Sequence, residues 1–482
     1  MDTKTRCMLI ILDGYGWRQN ADYNAIALAS TPHLSALIHQ YGFQLLRASG
    51  PAVGLPEGYP GNSEAGHLTL GAGRVIEQDI TRVLHAMHNN MLETNAVLQT
   101  MLSYAQQHTK TVHIIGLMSD GGVHSHIDYI EALIVLCARV PSIRVYIHAI
   151  TDGRDSAPQS AVHYLQRIDQ LCAQYTNCTI ASIHGRFYAM DRDNNWERTK
   201  KSFDVLSDKN LDGKALIPSD CEAIVSRDMS ARHPSDYAKA STDTSIHSTS
   251  SNTPDYAKAT TGRQGERSEL GPQILESVPK NSATSWRSII EQSYARAITD
   301  EFIVPTVIDP AGTMHPHDVC FMANVRPERM RQLLRMLAGD QTIPINYTPI
   351  PSLYITTLTQ YVPTTSAHVL FEPLVINNTL KELLSAQHKT IFTIAETEKY
   401  AHVTYFFNGQ KEQPVATETR TLIPSLHEKN YVTHPEMSAH AITTALVNSF
   451  TASLADFYLV NYANMDMVGH SGNLAATIQA VE

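Results

Sequence analysis

The sequence has no long apolar run and no excess of basic residues, and each absence excludes a class of protein. No stretch approaches the ~20 consecutive apolar residues that a membrane-spanning helix needs. The apolar run that begins at Cys7 is too short for the core of a signal peptide. Lysine and arginine number 37 against 47 acidic residues, and the formal net charge is -10. Because binding to nucleic acid or to an anionic membrane relies on basic patches, we expect neither partner.

Cysteine is sparse, and the six cysteines form no CxxC pair. In a chain of 482 residues this indicates free, reduced thiols in a cytoplasmic protein. A GxSxG motif is absent as well, so a Ser-His-Asp hydrolase is not indicated. The rest of the composition is that of an ordinary globular protein, with 43% hydrophobic and 17% charged residues. Its length is enough for two or three domains.

Short apolar runs that end in polar turns recur along the chain, and helical segments such as IDYIEALIVLCARV and AVHYLQRIDQLCAQY lie between them. Continuous apolar runs are typical of strands buried on both faces. The runs are CMLIILDG, VHIIGLMSDGG, RVYIHAITDGRD, CTIASIHGR, VCFMANVRP, LYITTLTQ, TIFTIAET and FYLVNYAN. We therefore predict an α/β fold with mostly parallel sheets, whose ligands bind outside the carboxyl ends of the strands. Residues 226–285 are polar and near-repetitive, and we predict a disordered insertion there.

One group of polar residues at these strand ends points to a metal and a nucleophile. Ser63, in GNSEAGH, starts a predicted helix, and a helix start favours a bound phosphate, although such a serine is more often only a helix cap. Asp13 follows the first apolar run, in LDGYG. Its position fits either a metal ligand or an Asx turn. Asp466 and His470 are four positions apart, and a carboxylate with an imidazole suits Mn, Zn, Co or Mg-type ions.

A second group is rich in arginine and follows other strands. Arginine presents a planar fork that pairs with carboxylates and phosphates. Any one of these arginines alone is more simply explained by a surface salt bridge, but the set fits a small, multiply charged anion. The set consists of Arg154, Arg186, Arg192, Arg326 and Arg329.

These motifs resemble those of the cofactor-independent phosphoglycerate mutases, in the same order and rough spacing. The resemblance rests on LDGYGWR, GNSEAGHLTLGAGRV, GLMSDGGVHSH, DGRD, GRFYAMDRDNNWER, NVRPERM, AETEKYAHVTYFFNG and NYANMDMVGHSGN, and it covers nearly the whole chain. It implies an alkaline-phosphatase-like parallel-sheet domain, formed by residues 1–76 and 373–482. It also implies an α/β transferase domain inserted between them, residues 77–372. The implied reaction interconverts 3-phosphoglycerate and 2-phosphoglycerate in glycolysis and gluconeogenesis.

The resemblance also implies a role for each candidate residue. Ser63 would be the nucleophile and, with Asp13, a ligand of one metal ion; Asp466 and His470 would bind the other. Lys399 would neutralise the transferring phosphate. The residues implied to bind the substrate are His124, Arg154, Asp155, Arg186, Arg192, Arg326, Arg329 and Lys399, with Asp155 as acid or base for the glycerate hydroxyls.

The implied cofactors are two divalent ions, Mn or else Mg, Co or Zn, and no bisphosphoglycerate is needed. We expect a monomer whose partner is the small molecule phosphoglycerate. The family continues with a Thr-Ala-Asp-His-Gly-Asn motif and a later histidine, which this sequence lacks, so we expect segment 373–482 to be truncated, as a fragment or in a decaying gene. Two alternatives to a mutase are a protein that only binds phosphoglycerate and a metal-dependent phosphatase or phosphopentomutase. DGRD and GRFYAMDRD favour the mutase over the latter.

Overall fold

The computed structural model describes residues 6–207, 285–426 and 431–482. They form two compact units, one from Met1–His85 and Pro373–Glu482 and the other from Ala86–Glu372. The insertion predicted at 226–285 lies outside the described residues except for its last position. The domain limits 1–76, 77–372 and 373–482 stay a prediction. Among the helices described, none is long and apolar enough to cross a membrane.

Eleven strands are found in the described residues, and they include all eight apolar runs singled out in the sequence. In chain order they are β1 Cys7–Leu12, β2 Thr111–Met118, β3 Arg144–Thr151, β4 Cys178–Gly185, β5 Thr306–Val307, β6 Val319–Met322, β7 Tyr354–Thr359, β8 His368–Phe371, β9 Ile391–Glu396, β10 Glu418–Ile423 and β11 Phe457–Tyr462. The three strands not foreseen, β5, β8 and β10, are short or carry charged and polar residues, so they lack the apolar pattern of a buried strand.

The helices lie between these strands, as the alternating pattern predicts. They are α1 Ala25–Leu28, α2 Pro32–Tyr41, α3 Ser63–Ala72, α4 Asp79–His88, α5 Ala96–Gln107, α6 Ile127–Ala138, α7 Ala161–Cys172, α8 Arg186–Ala189, α9 Trp196–Ser207, α10 Trp286–Ala295, α11 Arg331–Leu337, α12 Leu380–Ala386, α13 Thr397–Ala401, α14 Ala439–Thr451, α15 Asn464–Gly469 and α16 Leu474–Val481. A π-helical turn, His402–Phe406, follows α13 directly.

The first unit is built on a four-stranded parallel sheet in the order β1-β11-β9-β10. Alternate residues of β9 and β11 belong to two different apolar clusters, one with Ile394 and Val460 and the other with Ala395 and Leu459. Because side chains alternate between the faces of a strand, the sheet is packed on both faces. Its parallel strands place the residues that follow β1, β9 and β11 at one edge.

The second unit contains a seven-stranded sheet in the order β5-β4-β3-β2-β6-β7-β8. Only the pairing of β4 with β5 is antiparallel. Strands β2, β3 and β4 are almost completely buried, as expected for a parallel sheet covered by helices. The predicted α/β class with mostly parallel sheets is therefore confirmed.

Two expectations from the sequence are wrong. Strand β1 is not buried on both faces, because it lies at the edge of its sheet, and Ile10 is half-exposed. Nor are all the thiols free, since Cys172 and Cys178 form a disulfide. The turn between α7 and β4 brings their Cα atoms to 4.9 Å, within the range that a disulfide spans. Cys7, Cys137 and Cys320 are free, and Cys221 lies outside the described residues.

Candidate active site

The amino end of helix α3 holds the serine that the sequence singles out. Asn62 caps the helix, because its side chain accepts a hydrogen bond from Ala65 N at 2.8 Å. The first helical residue is Ser63, whose Oγ donates to Asp13 Oδ1 at 2.8 Å. Asp13 follows directly after β1. The fold therefore brings together a hydroxyl and a carboxylate from distant parts of the sequence.

A close approach of two backbones explains the glycine after Asp13. Gly14 has a φ of +81°, in the left-handed region that favours glycine. A Cβ at this position would lie 2.6 Å from Asp466 N. The LDGYG motif thus lets the end of β1 lie against helix α15, which carries Asp466.

Lys399 connects the polar groups of this site. Its Nζ lies 2.9 Å from Ser63 Oγ, 2.5 Å from Asp466 Oδ2 and 3.1 Å from Asp13 Oδ2. The Lys399 side chain is buried. Its ammonium group therefore offsets the negative charges of Asp13 and Asp466 at a place with little access to water. Burial acts to raise the pKa of Asp13, but Lys399 and a hydrogen bond from Asn461 outweigh it, and the pKa is lowered. Asp13 is therefore a carboxylate at neutral pH.

Asp466 and His470 lie one turn apart on helix α15. His470 Nε2 is 3.5 Å from Asp466 Oδ1, and the imidazole is 78% exposed. Carboxylate, imidazole and serine oxygen are donors that divalent ions accept. In residues 6–207, 285–426 and 431–482, no three histidine, cysteine, aspartate or glutamate side chains surround one point. The donor types are ones that divalent cations accept, but each pair, Asp13 with Ser63 and Asp466 with His470, supplies two donors.

In the second unit, Asp152 organises the loop after β3. Its Oδ1 accepts hydrogen bonds from the backbone N–H groups of Arg154 at 3.2 Å and Asp155 at 3.1 Å. Its Oδ2 accepts one from Ser119 Oγ at 2.6 Å. Arg186, at the end of β4, places Nη1 2.5 Å from Asp152 Oδ1 and 2.6 Å from Asp155 Oδ2. The DGRD loop and the arginine of the next strand are thus held as one structure.

Five arginines of this unit lie within electrostatic reach of one another or of His124. Burial, followed by the charges of three other arginines, lowers the pKa of Arg329. Like charges disfavour each other's charged form, so the repulsion between these arginines adds to the effect of burial. A small anion with several negative charges would relieve it. The five residues are Arg154, Arg186, Arg192, Arg326 and Arg329.

Two of these arginines also make individual contacts, and a third lines a cavity. Arg154 Nη1 lies 3.2 Å from Glu301 Oε1, and Arg329 Nη1 donates to Met190 O at 3.3 Å. Arg192 lines a cavity of about 1200 Å³. Among the residues that line this cavity, Arg192 is the one member of the set.

His124 lies against the same arginines. Burial, followed by the charges of Arg186 and Arg326, lowers the pKa of His124 to about 2. The imidazole is therefore neutral and makes no ion pair with Glu328, although Nδ1 is 3.6 Å from Glu328 Oε1. This nitrogen is buried and has no hydrogen-bond partner among the described residues. An oxygen atom of a bound ligand would supply one.

The candidate residues thus fall into two groups, one in each unit. Sequence reasoning did not single out Asp152, Asn461 or His67, although each contacts a candidate residue. Asp152 and His67 stand inside motifs that were noticed, and Asn461 is a polar residue in the otherwise apolar run FYLV-N-Y. A polar residue at a buried strand position is the signal that could have found it.

Curated relatives match the chain over nearly its whole length. It is 38% identical over 486 residues to the 2,3-bisphosphoglycerate-independent phosphoglycerate mutase of Methylobacillus flagellatus, covering 100% of this chain and 81% of the relative. The chain belongs to this mutase family. The mutase of Synechococcus elongatus is 35% identical and the second such mutase of Methanosarcina acetivorans 36%, each over 98% of this chain and over 76% and 79% of the relative.

The mutase family is also found by a family model and by a solved structure. The model, described as the N-terminus of bisphosphoglycerate-independent phosphoglycerate mutase, matches residues 83–267 and 263–363. The structure is that of Leishmania mexicana phosphoglycerate mutase at low cobalt concentration, with a TM-score of 0.65 and 25% identity over 99% of this chain and 78% of that one. The expected family, its isomerase class and the alkaline-phosphatase-like fold are therefore confirmed, while the roles of single residues stay predictions.

Proposed function

We propose that this protein interconverts 3-phosphoglycerate and 2-phosphoglycerate through a phosphoserine at Ser63, without bisphosphoglycerate. The observation that carries the proposal is the pair of contacts at Ser63 Oγ, which donates to Asp13 and accepts from Lys399. A hydroxyl has one proton and two lone pairs. These contacts place the hydroxyl between a carboxylate that can accept its proton and an ammonium group that stabilises negative charge on its oxygen.

The bonds balance without an added reactant. The Ser63 oxygen–phosphorus bond forms while the ester bond between phosphorus and the glycerate oxygen breaks. The serine proton moves to the Asp13 carboxylate, and Asp155, the candidate acid, gives a proton to the freed glycerate oxygen; both proton transfers run in reverse in the second half of the reaction. The second half of the reaction is the reverse, with the other hydroxyl as acceptor. Lys399 places a positive charge beside Ser63 Oγ, the oxygen that forms the new bond to phosphorus.

The arginine group of the second unit is proposed to bind the glycerate and its phosphate. Phosphoglycerate carries a carboxylate and a phosphate, which are the anions that guanidinium forks bind in two-point contacts. His124 is neutral, and its buried Nδ1 has no hydrogen-bond partner in the part of the chain that the structure describes, so it can bind a substrate oxygen without adding charge. We propose that phosphoglycerate is the only partner needed and that the protein acts as a monomer in glycolysis and gluconeogenesis.

Divalent metal ions are proposed as cofactors, because the relative from Leishmania mexicana was studied with cobalt. Asp13 with Ser63 and Asp466 with His470 would hold them. Bound there, such ions lower the pKa of a coordinated hydroxyl and neutralise phosphoryl charge. Manganese is the ion to test first.

The test is conversion of 3-phosphoglycerate followed by ³¹P nuclear magnetic resonance, with manganese and then with a chelator, and without bisphosphoglycerate. Conversion that stops with the chelator and with Ser63→Ala supports the proposal, as does a phosphorylated Ser63 peptide. Ser385→Ala is the matched control, since Ser385 is also half-buried and belongs to the same unit. Tight binding of phosphoglycerate with no conversion under any metal would instead indicate a binding protein.

A further inference from the structure

Two buried residues behind the serine, Asn461 and His67, are unexplained by the proposed reaction. Asn461 lies on β11, paired in register with Ile11 of β1. Its Nδ2 donates to Asp13 Oδ2 at 3.0 Å and lies 3.0 Å from His67 Nε2. On helix α3, His67 places its other ring nitrogen, Nδ1, 2.7 Å from the carbonyl oxygen of Ser63.

These contacts allow only one arrangement of protons. A carbonyl oxygen only accepts, so His67 Nδ1 carries a proton. The carboxylate of Asp13 also only accepts, so the Asn461 side chain must turn its NH₂ group, and not its oxygen, toward Asp13. The second hydrogen of that NH₂ group then points to His67 Nε2, which must be bare. Both ends of the imidazole thus require the same neutral tautomer, with the proton on Nδ1.

The contacts close into a ring. Ser63 Oγ–H donates to Asp13 Oδ1, Asn461 donates to Asp13 Oδ2 and to His67 Nε2, and His67 Nδ1–H donates back to Ser63 O. Three elements contribute to it: the end of β1, the first turn of α3 and strand β11. Every member except the serine is buried. Rotation of the Asp13 carboxylate would break two of these hydrogen bonds at once.

We infer that Asn461 and His67 are positioning residues, which hold the Asp13 carboxylate in one orientation, with Oδ1 toward Ser63 Oγ. This inference rests on the proposed role of Ser63 as the nucleophile. The consequence is that Asp13 Oδ1 stays beside Ser63 Oγ, where it can accept the serine proton or share a divalent ion with the serine. Loss of such alignment costs roughly 10- to 100-fold in rate, because reaction depends on near-attack geometry.

A spectroscopic test does not need activity. In protein labelled with ¹⁵N histidine, the His67 resonances are assigned by their loss in the His67→Gln variant. At pH 7.5 we expect the neutral tautomer protonated on Nδ1, whereas a proton on Nε2 or a charged imidazolium would overturn the inference. In Asn461→Leu the bare Nε2 loses its hydrogen bond, and its ¹⁵N shift should change; an unchanged shift would also contradict the ring.

A kinetic test separates positioning from packing. Asn461→Asp keeps the shape but replaces both donors by acceptors, and we expect kcat to fall roughly 10- to 100-fold with KM changed less than about twofold. Asn408→Leu is the control: Asn408 is equally buried in the same unit, and its contacts go to Thr379 and Gln413. We expect its kcat within about twofold of the wild type.

The outcomes are distinguishable. Equal kcat losses in Asn461→Asp and Asn408→Leu would mean that Asn461 only packs, and full activity in Asn461→Asp would mean that the donors are not needed. Absence of conversion by the wild type under any divalent metal would refute the proposed function instead, and the tautomer measurement would still decide whether the ring exists.

Discussion

The buried pair Lys381 and Glu418 allows a quantitative test of how the unit containing Ser63 is held together. Both side chains are fully buried and in direct contact. Lys381 Nζ also donates to Val403 O at 2.6 Å, in the π-helical turn that follows α13 and Lys399. Burial lowers the pKa of Lys381 to about 8, although Glu418 acts to raise it. The lysine is therefore still charged at pH 7. Because it is buried, its charge is stable only beside an opposite charge.

We expect Lys381→Met to destabilise this unit by about 3 kcal/mol. Removing one partner of a buried ion pair costs about 3–5 kcal/mol, because the other charge is left uncompensated. The lower end applies here, since Glu418 keeps Arg420 Nη2 at 3.0 Å and Thr393 Oγ1 at 2.8 Å. In the double variant Lys381→Met with Glu418→Gln, no carboxylate is stranded, and the loss should shrink to about 1 kcal/mol. The coupling energy between the two sites is then about 2 kcal/mol or more.

Native-state hydrogen exchange of the β9 and β10 amides measures this loss locally, so the second unit does not interfere. Lys411→Met is the matched control, because Lys411 pairs with Glu382 at 2.5 Å in the same unit but is one-third exposed. An exposed pair contributes about 0–1 kcal/mol. The reasoning is refuted if Lys381→Met costs no more than this control, or if the double variant is as unstable as the single one.

Three further predictions concern the second unit. Asp152→Asn removes one of the two carboxylates that hold Arg186, so we expect KM for phosphoglycerate to rise about tenfold; an unchanged KM would contradict the role given to Asp152. Burial lowers the pKa of His184 to about 3, so its contribution to stability is complete above pH 6.5 and is lost as the pH falls toward 3, by up to about 1.4 kcal/mol per pH unit. His184→Gln should flatten the pH dependence of the urea midpoint between pH 6 and 4, and an equally steep dependence would argue against a buried, neutral imidazole. The disulfide between Cys172 and Cys178 closes a short loop, and the chain entropy that it removes from the unfolded state stabilises the protein by about 2 kcal/mol. Dithiothreitol should therefore lower the stability of the wild type by this amount. It should not affect Cys178→Ser, which lacks the disulfide already.

The strands could be predicted from the sequence because burial on both faces leaves a continuous apolar run. The rule did not identify some strands that are not buried on both faces. Strand β10 reads ETRTLI and lies at a sheet edge, so it needs no apolar run. The disulfide was missed because its cysteines are six positions apart, a spacing that becomes close only through the turn between α7 and β4.

The two groups of candidate residues differ in how much of each could be predicted from the sequence. The arginines share a residue type and a position after strands, so their gathering could be expected from chemistry alone. Lys399 had no such signal and was named only through a family resemblance. The ring of Asn461 and His67 was beyond sequence reasoning, since it depends on side chains from two elements meeting behind Asp13.

The order of strands in the first sheet explains why the serine site forms at all. Asp13, Asp466 and Lys399 follow β1, β11 and β9, which are distant in the chain but adjacent in the sheet. Neighbouring strands are about 4.8 Å apart, so their ends lie within about 10 Å, and side chains of this length can meet at one point. Parallel pairing puts all three ends on the same edge. The apolar pattern predicts the strands, but only their order in the sheet turns three scattered residues into one charged site around a hydroxyl.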